Sequence, residues 1–198
     1  RPPPPTPRSK GPPPPPGGHG PAPFPPPPTP ADTRAAMEAR RFAAVLHIEG
    51  CEPIAEDLST LETLHAAGLR SLGPVWSRHN RFGHGVPFAY PSSPDTGPGL
   101  TERGVALVKE CDRLGIMIDL AHITEQGFWD VARESTQPLV ATHSNAQALT
   151  PISRNLTDRQ LDAIRERKGI AGLNYAPTML RADGLEDIDT PLSDMVRH

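Results

Sequence analysis

Cysteine, aromatic side chains and long apolar runs are all scarce in this sequence of 198 residues. Its two cysteines, Cys51 and Cys111, are too few for a disulfide framework or a thiolate metal site, so each is expected to pack as a small apolar residue. No apolar stretch reaches the roughly 20 residues that a membrane-spanning helix needs. The first residues lack the apolar h-region of a secretory signal, which makes a cytoplasmic location the default expectation; a start lying further upstream would hide any targeting signal. Charge of neither sign dominates. The 20 Lys plus Arg against 23 Asp plus Glu leave a formal −3, which argues against the basic patch of a nucleic-acid binder. No Gly-rich phosphate loop follows any candidate strand, which weakens a nucleotide-binding reading.

Proline is abundant, but unevenly so. Of the 27 prolines, 17 fall within residues 1–30. Such a segment lacks the apolar content to build a core and favours extended polyproline II, so residues 1–30 are expected to be disordered. The globular part is expected to be residues 31–198.

From residue 31 the pattern alternates helix and strand. Residues 31–42 read as a helix with Asp32 or Thr33 as N-cap. Strands are expected at 43–48, 69–75, 116–120, 139–142 and 170–174. Helices are expected at 54–67, 101–114 and 125–134, then from Thr157 with Gln160 as its capping-box partner, and from about Pro191. Residues 76–100 form a loop rich in Gly, Pro, Ser and His, and loops of that length inside a compact domain are usually functional. Five strands alternating with helices point to an α/β fold with a parallel sheet, either doubly wound or a (β/α)8 barrel. A closed barrel needs eight units, so this chain is expected to supply a partial barrel of about five.

Three polar residues favour the barrel. Glu49 in HIEG, His122 in DLAHIT and His143 in ATHSNA each sit at or just after the C-terminal end of an expected strand. Catalytic groups of (β/α)8 barrels cluster at that rim. A carboxylate and two imidazoles suit zinc or a similar divalent ion. Glu49, with two oxygens, could bridge two ions about 3.5–4 Å apart, as in two-metal hydrolases. The plainer alternative is that each histidine is a hydrogen-bonded loop residue.

The segments HIEG, GLRSLGPVWS, GLTERGVALVKECDRLGIMIDLAH, PLVATHSNA and SRNLTDRQLDAI occur in order and resemble consecutive blocks of the membrane-dipeptidase family, in its bacterial branch. The resemblance runs from about Phe42 to His198 and implies a (β/α)8 barrel that binds two zinc ions and hydrolyses dipeptides. The family's bridging glutamate lands on Glu49, and its two later histidine ligands land on His122 and His143. Its substrate-carboxylate arginine lands on Arg154, a role that suits the planar guanidinium fork. Trp76 stands where many relatives carry a substrate-contacting histidine, with His79 nearby, and is a candidate substrate contact.

The departures carry equal weight. The family's early H-x-D block, which supplies two further zinc ligands, occurs nowhere in this sequence. The D-F-D-G block that brings its catalytic aspartate is also absent, so no catalytic residue is expected within the chain. His47 and Glu49 form an H-x-E on one strand face, with His47 deeper and expected to be a supporting or core residue. Asp119, three residues before His122, is a candidate to orient that ligand or simply a buried hydrogen-bonded residue. His84 is a candidate substrate contact, with a solvated loop histidine the favoured reading, and residues 186–189 are expected to be a solvated acidic loop.

The resemblance therefore implies an incomplete, inactive piece of a zinc dipeptidase. Its expected partners are a dipeptide substrate and, for a complete chain, a second copy in a homodimer, with neither nucleic acid nor a membrane span. Two alternatives stay open: a non-catalytic remnant whose proline-rich head binds aromatic-lined adaptor modules, and another metal-dependent amidohydrolase on the same barrel.

Overall fold

The computed structural model of the protein describes residues 29–198. The expectation of disorder for residues 1–30 lies, up to residue 28, outside the described residues.

The elements follow in the order α1 (Pro30–Glu38), β1 (Leu46–Glu49), α2 (Ser59–Ala66), β2 (Leu69–Gly73), α3 (Glu102–Leu114), β3 (Met117–Ile118), α4 (Glu125–Glu134), β4 (Val140–Ala141), α5 (Asp158–Glu166), β5 (Ile170–Ala171), α6 (Pro177–Leu180) and α7 (Leu192–Arg197). The fold is mixed α/β and its strands run parallel. β1, β2 and β3 pair in that order, and β4 pairs with β5. A parallel bridge from Asp119 to Val140, with Leu120 N–H donating to the Val140 carbonyl at 2.8 Å, joins β3 to β4. Neighbouring strands therefore follow chain order, with no reversal around a switch point.

The helices form where the sequence supplies caps and an apolar stripe. On α3, Gly104, Leu107, Val108 and Cys111 are buried, at spacings that share one helical face. Thr101 caps its start, and Gly115 ends it in the left-handed region at φ 69°. α4 buries Gly127, Phe128 and Val131, and α5 begins with the expected Thr157–Gln160 capping box. The core between these helices and the strands includes Leu61, Leu72, Leu107, Phe128 and Leu139, each essentially inaccessible to water. Burying one such side chain contributes about 1.5–3 kcal/mol. Cys51 and Cys111 are free thiols in that core, as their scarcity suggested.

Several boundaries differ from expectation. The cap of α1 is Thr29, not Asp32 or Thr33; Asp32 is the N3 partner that closes its capping box. α2 starts at Ser59 rather than Ile54, because Leu58 sits in the left-handed region at φ 61° and interrupts helical geometry. The short α6 has no strong apolar period and was not anticipated. β3, β4 and β5 are two residues each, shorter than their apolar runs, because ladder pairing is confined to where neighbouring backbones stay in register. Beyond β5 no further strand pairs among the described residues, and Ile170 and Leu173 are exposed. No helix among the described residues is long and apolar enough to cross a membrane.

Candidate metal centre

The C-terminal ends of the parallel strands deliver the polar side chains. Glu49 is the last residue of β1. His122 lies four residues beyond β3, and His143 two beyond β4. Their side chains meet. The Oε1 atom of Glu49 is 3.1 Å from Nε2 of His122 and 3.1 Å from Nε2 of His143. The two Nε2 atoms are 3.0 Å apart. The sequence separated these residues onto three strand ends, and the parallel sheet brings them to one point.

Local backbone geometry aims His122. Its φ is 69°, a left-handed value uncommon outside glycine, and its carbonyl accepts the Val86 N–H at 2.8 Å. Such a conformation costs on the order of 1–3 kcal/mol and persists where surrounding contacts fix it. The long loop supplies those contacts. Gly85 lies so close to the Trp76 carbonyl that a Cβ there would overlap it, so glycine lets residues 83–86 run directly over the Trp76 backbone.

A hydroxyl occupies the far nitrogen of each imidazole. Nδ1 of His122 is 2.7 Å from Ser77 Oγ, and Nδ1 of His143 is 2.7 Å from Thr142 Oγ1. Burial pushes the pKa of His122 down to about 2, with the positive charge of Arg154 and then His143 adding to the effect. Burial also lowers that of His143; Arg154 acts in the same direction, and Asp119 and Glu49 oppose it. Both imidazoles are thereby neutral at pH 7, the form that binds a metal.

Arg154 comes from the loop between β4 and α5 and is only 3% exposed. One Nη donates to the His143 carbonyl at 3.2 Å and the other to Ser144 Oγ at 3.4 Å, while Nε is buried without a partner among the described residues. Burial lowers its pKa to about 10, against the opposing pull of Asp119 and Glu49. Trp76 lies against the cluster, its ring centroid 5.6 Å from that of His122. Phe88 joins it, 5.8 Å from Trp76 and 6.1 Å from His122, and both aromatic rings are partly exposed.

The remaining candidates fall around this point. His47 is half-buried, with Nδ1 2.9 Å from Ser71 Oγ and Nε2 3.8 Å from Asp119 Oδ2. Asp119 is buried, but it contacts Thr142 beside His143 rather than His122. His84 is half-buried and bonds the Gly99 carbonyl at 3.0 Å, so it is a loop-closing residue rather than a solvated one. His79 is exposed and stands 6.1 Å from the His84 ring, outside the cluster. Ser77, Phe88 and Thr142 were not singled out from sequence. Thr142 precedes a candidate ligand and was within reach of such reasoning, whereas nothing in the spacing links Ser77 to His122, 45 residues away.

The donor set fits a divalent cation. It offers one carboxylate and two neutral imidazoles, with ligand atoms all within 4.8 Å of one another, and it is the cluster of this kind found among the described residues.

Comparison with known proteins agrees. A crystal structure of a metallopeptidase from Rhodobacter sphaeroides, liganded with a phosphinate mimic of L-Ala-D-Ala, superposes with a TM-score of 0.84 at 55% identity, covering 85% of this chain and 48% of that one. A probable dipeptidase from Pseudomonas aeruginosa superposes with a TM-score of 0.70 at 31% identity, covering 77% of this chain and 39% of that one. An uncharacterized protein from the pqqA 5′ region of Klebsiella pneumoniae is 51% identical over 168 residues, 85% of this chain and 62% of that protein. The chain thus spans between about half and three-fifths of the length of its more similar relatives. The model of the membrane dipeptidase family (Peptidase family M19) matches residues 24–198, nearly all of the sequence, and the chain belongs to that family.

Proposed function

We propose that this chain carries part of the active centre of a zinc-dependent dipeptidase, with Glu49, His122 and His143 as metal ligands. The observation that carries this reading is the approach of one Glu49 oxygen to within 3.1 Å of both imidazole Nε2 atoms. The five parallel strands in chain order support reading the fold as five units of a (β/α)8 barrel, with the cluster at its C-terminal rim. Glu49, having two carboxylate oxygens, would serve both ions of a two-zinc site. Bound zinc acts as a Lewis acid that polarises a scissile carbonyl and makes water nucleophilic near neutral pH.

The chain's own residues then bind and orient substrate. Arg154 keeps its charge in a buried position beside the cluster, with an Nε unpartnered among the described residues, and would take the free carboxylate of a dipeptide. Trp76 and Phe88 form an apolar wall beside His122 that would shield the site and contact a substrate side chain. Hydrolysis of dipeptides by these 198 residues alone is expected near background, because the sequence holds no H-x-D block to complete the ligand set.

Zinc titration of the chain tests the reading. His122→Ala and His143→Ala should each weaken binding by at least about tenfold, since even lost supporting contacts typically cost 10–100-fold in metal affinity. If both variants, folded by circular dichroism, bind zinc as tightly as the parent, the site is misassigned.

A further inference from the structure

The two candidate imidazole ligands are not held alike. The Ser77 hydroxyl on Nδ1 of His122 makes that one hydrogen bond among the described residues, so its proton is free to rotate. The Thr142 hydroxyl on Nδ1 of His143 is committed. Asp119, only 1% exposed, directs both carboxylate oxygens at residue 142 and its surroundings. Oδ1 accepts the Ala121 N–H at 3.0 Å and the Thr142 N–H at 2.8 Å. Oδ2 accepts the Thr142 hydroxyl at 2.6 Å. A hydroxyl has one proton, and here the carboxylate takes it. The Thr142 oxygen can then only accept from His143 Nδ1, 2.7 Å away. A neutral imidazole carries one N–H, so the proton on Nδ1 leaves Nε2 bare. That lone pair faces Glu49 Oε1 at 3.1 Å, an encounter that a cation relieves. His47 Nε2, 3.8 Å from Oδ2, is too far to compete for the carboxylate by a hydrogen bond.

We propose that Asp119, acting through the Thr142 hydroxyl, is the positioning residue that fixes His143 as its Nδ1–H tautomer and turns a bare Nε2 towards the cluster. The role of that Nε2 rests on the metal-ligand reading above; the tautomer itself does not.

The test is a two-bond ¹H–¹⁵N spectrum of the histidine side chains in the metal-free 198-residue chain at neutral pH. The parent should show His143 protonated on Nδ1. In Asp119→Asn the new amide nitrogen must replace Oδ2, because the Oδ1 position faces two backbone N–H groups. It donates to Thr142, whose proton turns to His143 Nδ1, and the tautomer inverts to Nε2–H. In Thr142→Val the hydroxyl is gone and the Nε2–H form should gain population. If the parent already carries Nε2–H, or a folded Thr142→Val keeps Nδ1–H unchanged, the proposal is overturned. Should Asp119→Asn fail to fold, Thr142→Val decides alone. Zinc affinity should fall about 10–100-fold in either folded variant and be restored by Thr142→Ser, which keeps the hydroxyl. If the parent binds no zinc, the metal reading falls, and the spectrum still decides the tautomer.

Discussion

His122 and His143 place their Nε2 atoms 3.0 Å apart although each follows a different strand, and among the described residues neither ring uses that nitrogen to bond backbone. Two neutral imidazoles and a carboxylate held this close stabilise the fold only weakly by themselves, and a cation that binds them binds the folded chain alone. Zinc at 100 times its Kd should therefore add about 2.7 kcal/mol of stability. A thermal melt should move upward with zinc for the parent and stay put for the double variant His122→Ala/His143→Ala. Equal shifts in both would mean that zinc binds elsewhere.

Thr124 ties the His122 strand end to the long loop. Its hydroxyl caps α4 by accepting the Gly127 N–H at 3.1 Å and donates to the Pro98 carbonyl at 2.9 Å. The side chain is buried, so water cannot replace either bond. Thr124→Ala should cost about 1–2 kcal/mol in chemical denaturation, the upper range for a lost N-cap. Thr157→Ala, which removes only a local capping box, should cost about 1 kcal/mol.

Much of this was legible in the sequence. Helix positions were readable because caps such as Thr101 and Thr157 and the stripe Leu107–Val108–Cys111 are local signals. Glu49, His122 and His143 stood out because strand ends in a parallel α/β fold share one rim. The partners of those side chains were less readable. Asp119 is three residues from His122, yet its carboxylate serves residue 142, because the β3–β4 bridge, not sequence spacing, decides what it touches. Ser77 and Phe88 reach His122 only through the path of the 76–100 loop, which has no period to read.

Asp130 gives a pH signature. Burial, the largest single effect on its carboxyl, raises the pKa, but bonds from the Leu100 N–H, Arg133 and Gln126 together outweigh it and hold the value below the usual range. A carboxyl with a depressed folded pKa stabilises the fold above its unfolded value, about 3.9, and loses that contribution as pH falls through the folded value. Asp130→Asn should therefore be less stable than the parent at pH 7, and the gap should narrow below about pH 4. Urea unfolding at pH 7, 5 and 3 measures it; a gap constant across that range would exclude the ionised carboxylate as its source.

Arg154 separates function from stability. Its guanidinium is buried, its two hydrogen bonds go to neutral oxygens at 3.2 and 3.4 Å, and Nε has no partner among the described residues. Its two contacts to neutral oxygens return only part of the hydration this buried charge has lost, while the carboxylates of Asp119 and Glu49 attract it, so the two effects oppose each other. Arg154→Met should therefore change the unfolding free energy by less than about 2 kcal/mol in either direction. The same variant should lose affinity for a dipeptide phosphinate in the zinc-loaded chain, measured by calorimetry. Arg154→Lys should not restore it, because an ammonium keeps the charge without the planar fork that grips both carboxylate oxygens. A loss of more than about 2 kcal/mol of stability in Arg154→Met, with phosphinate binding intact, would make the residue structural and leave the substrate carboxylate without an assigned partner.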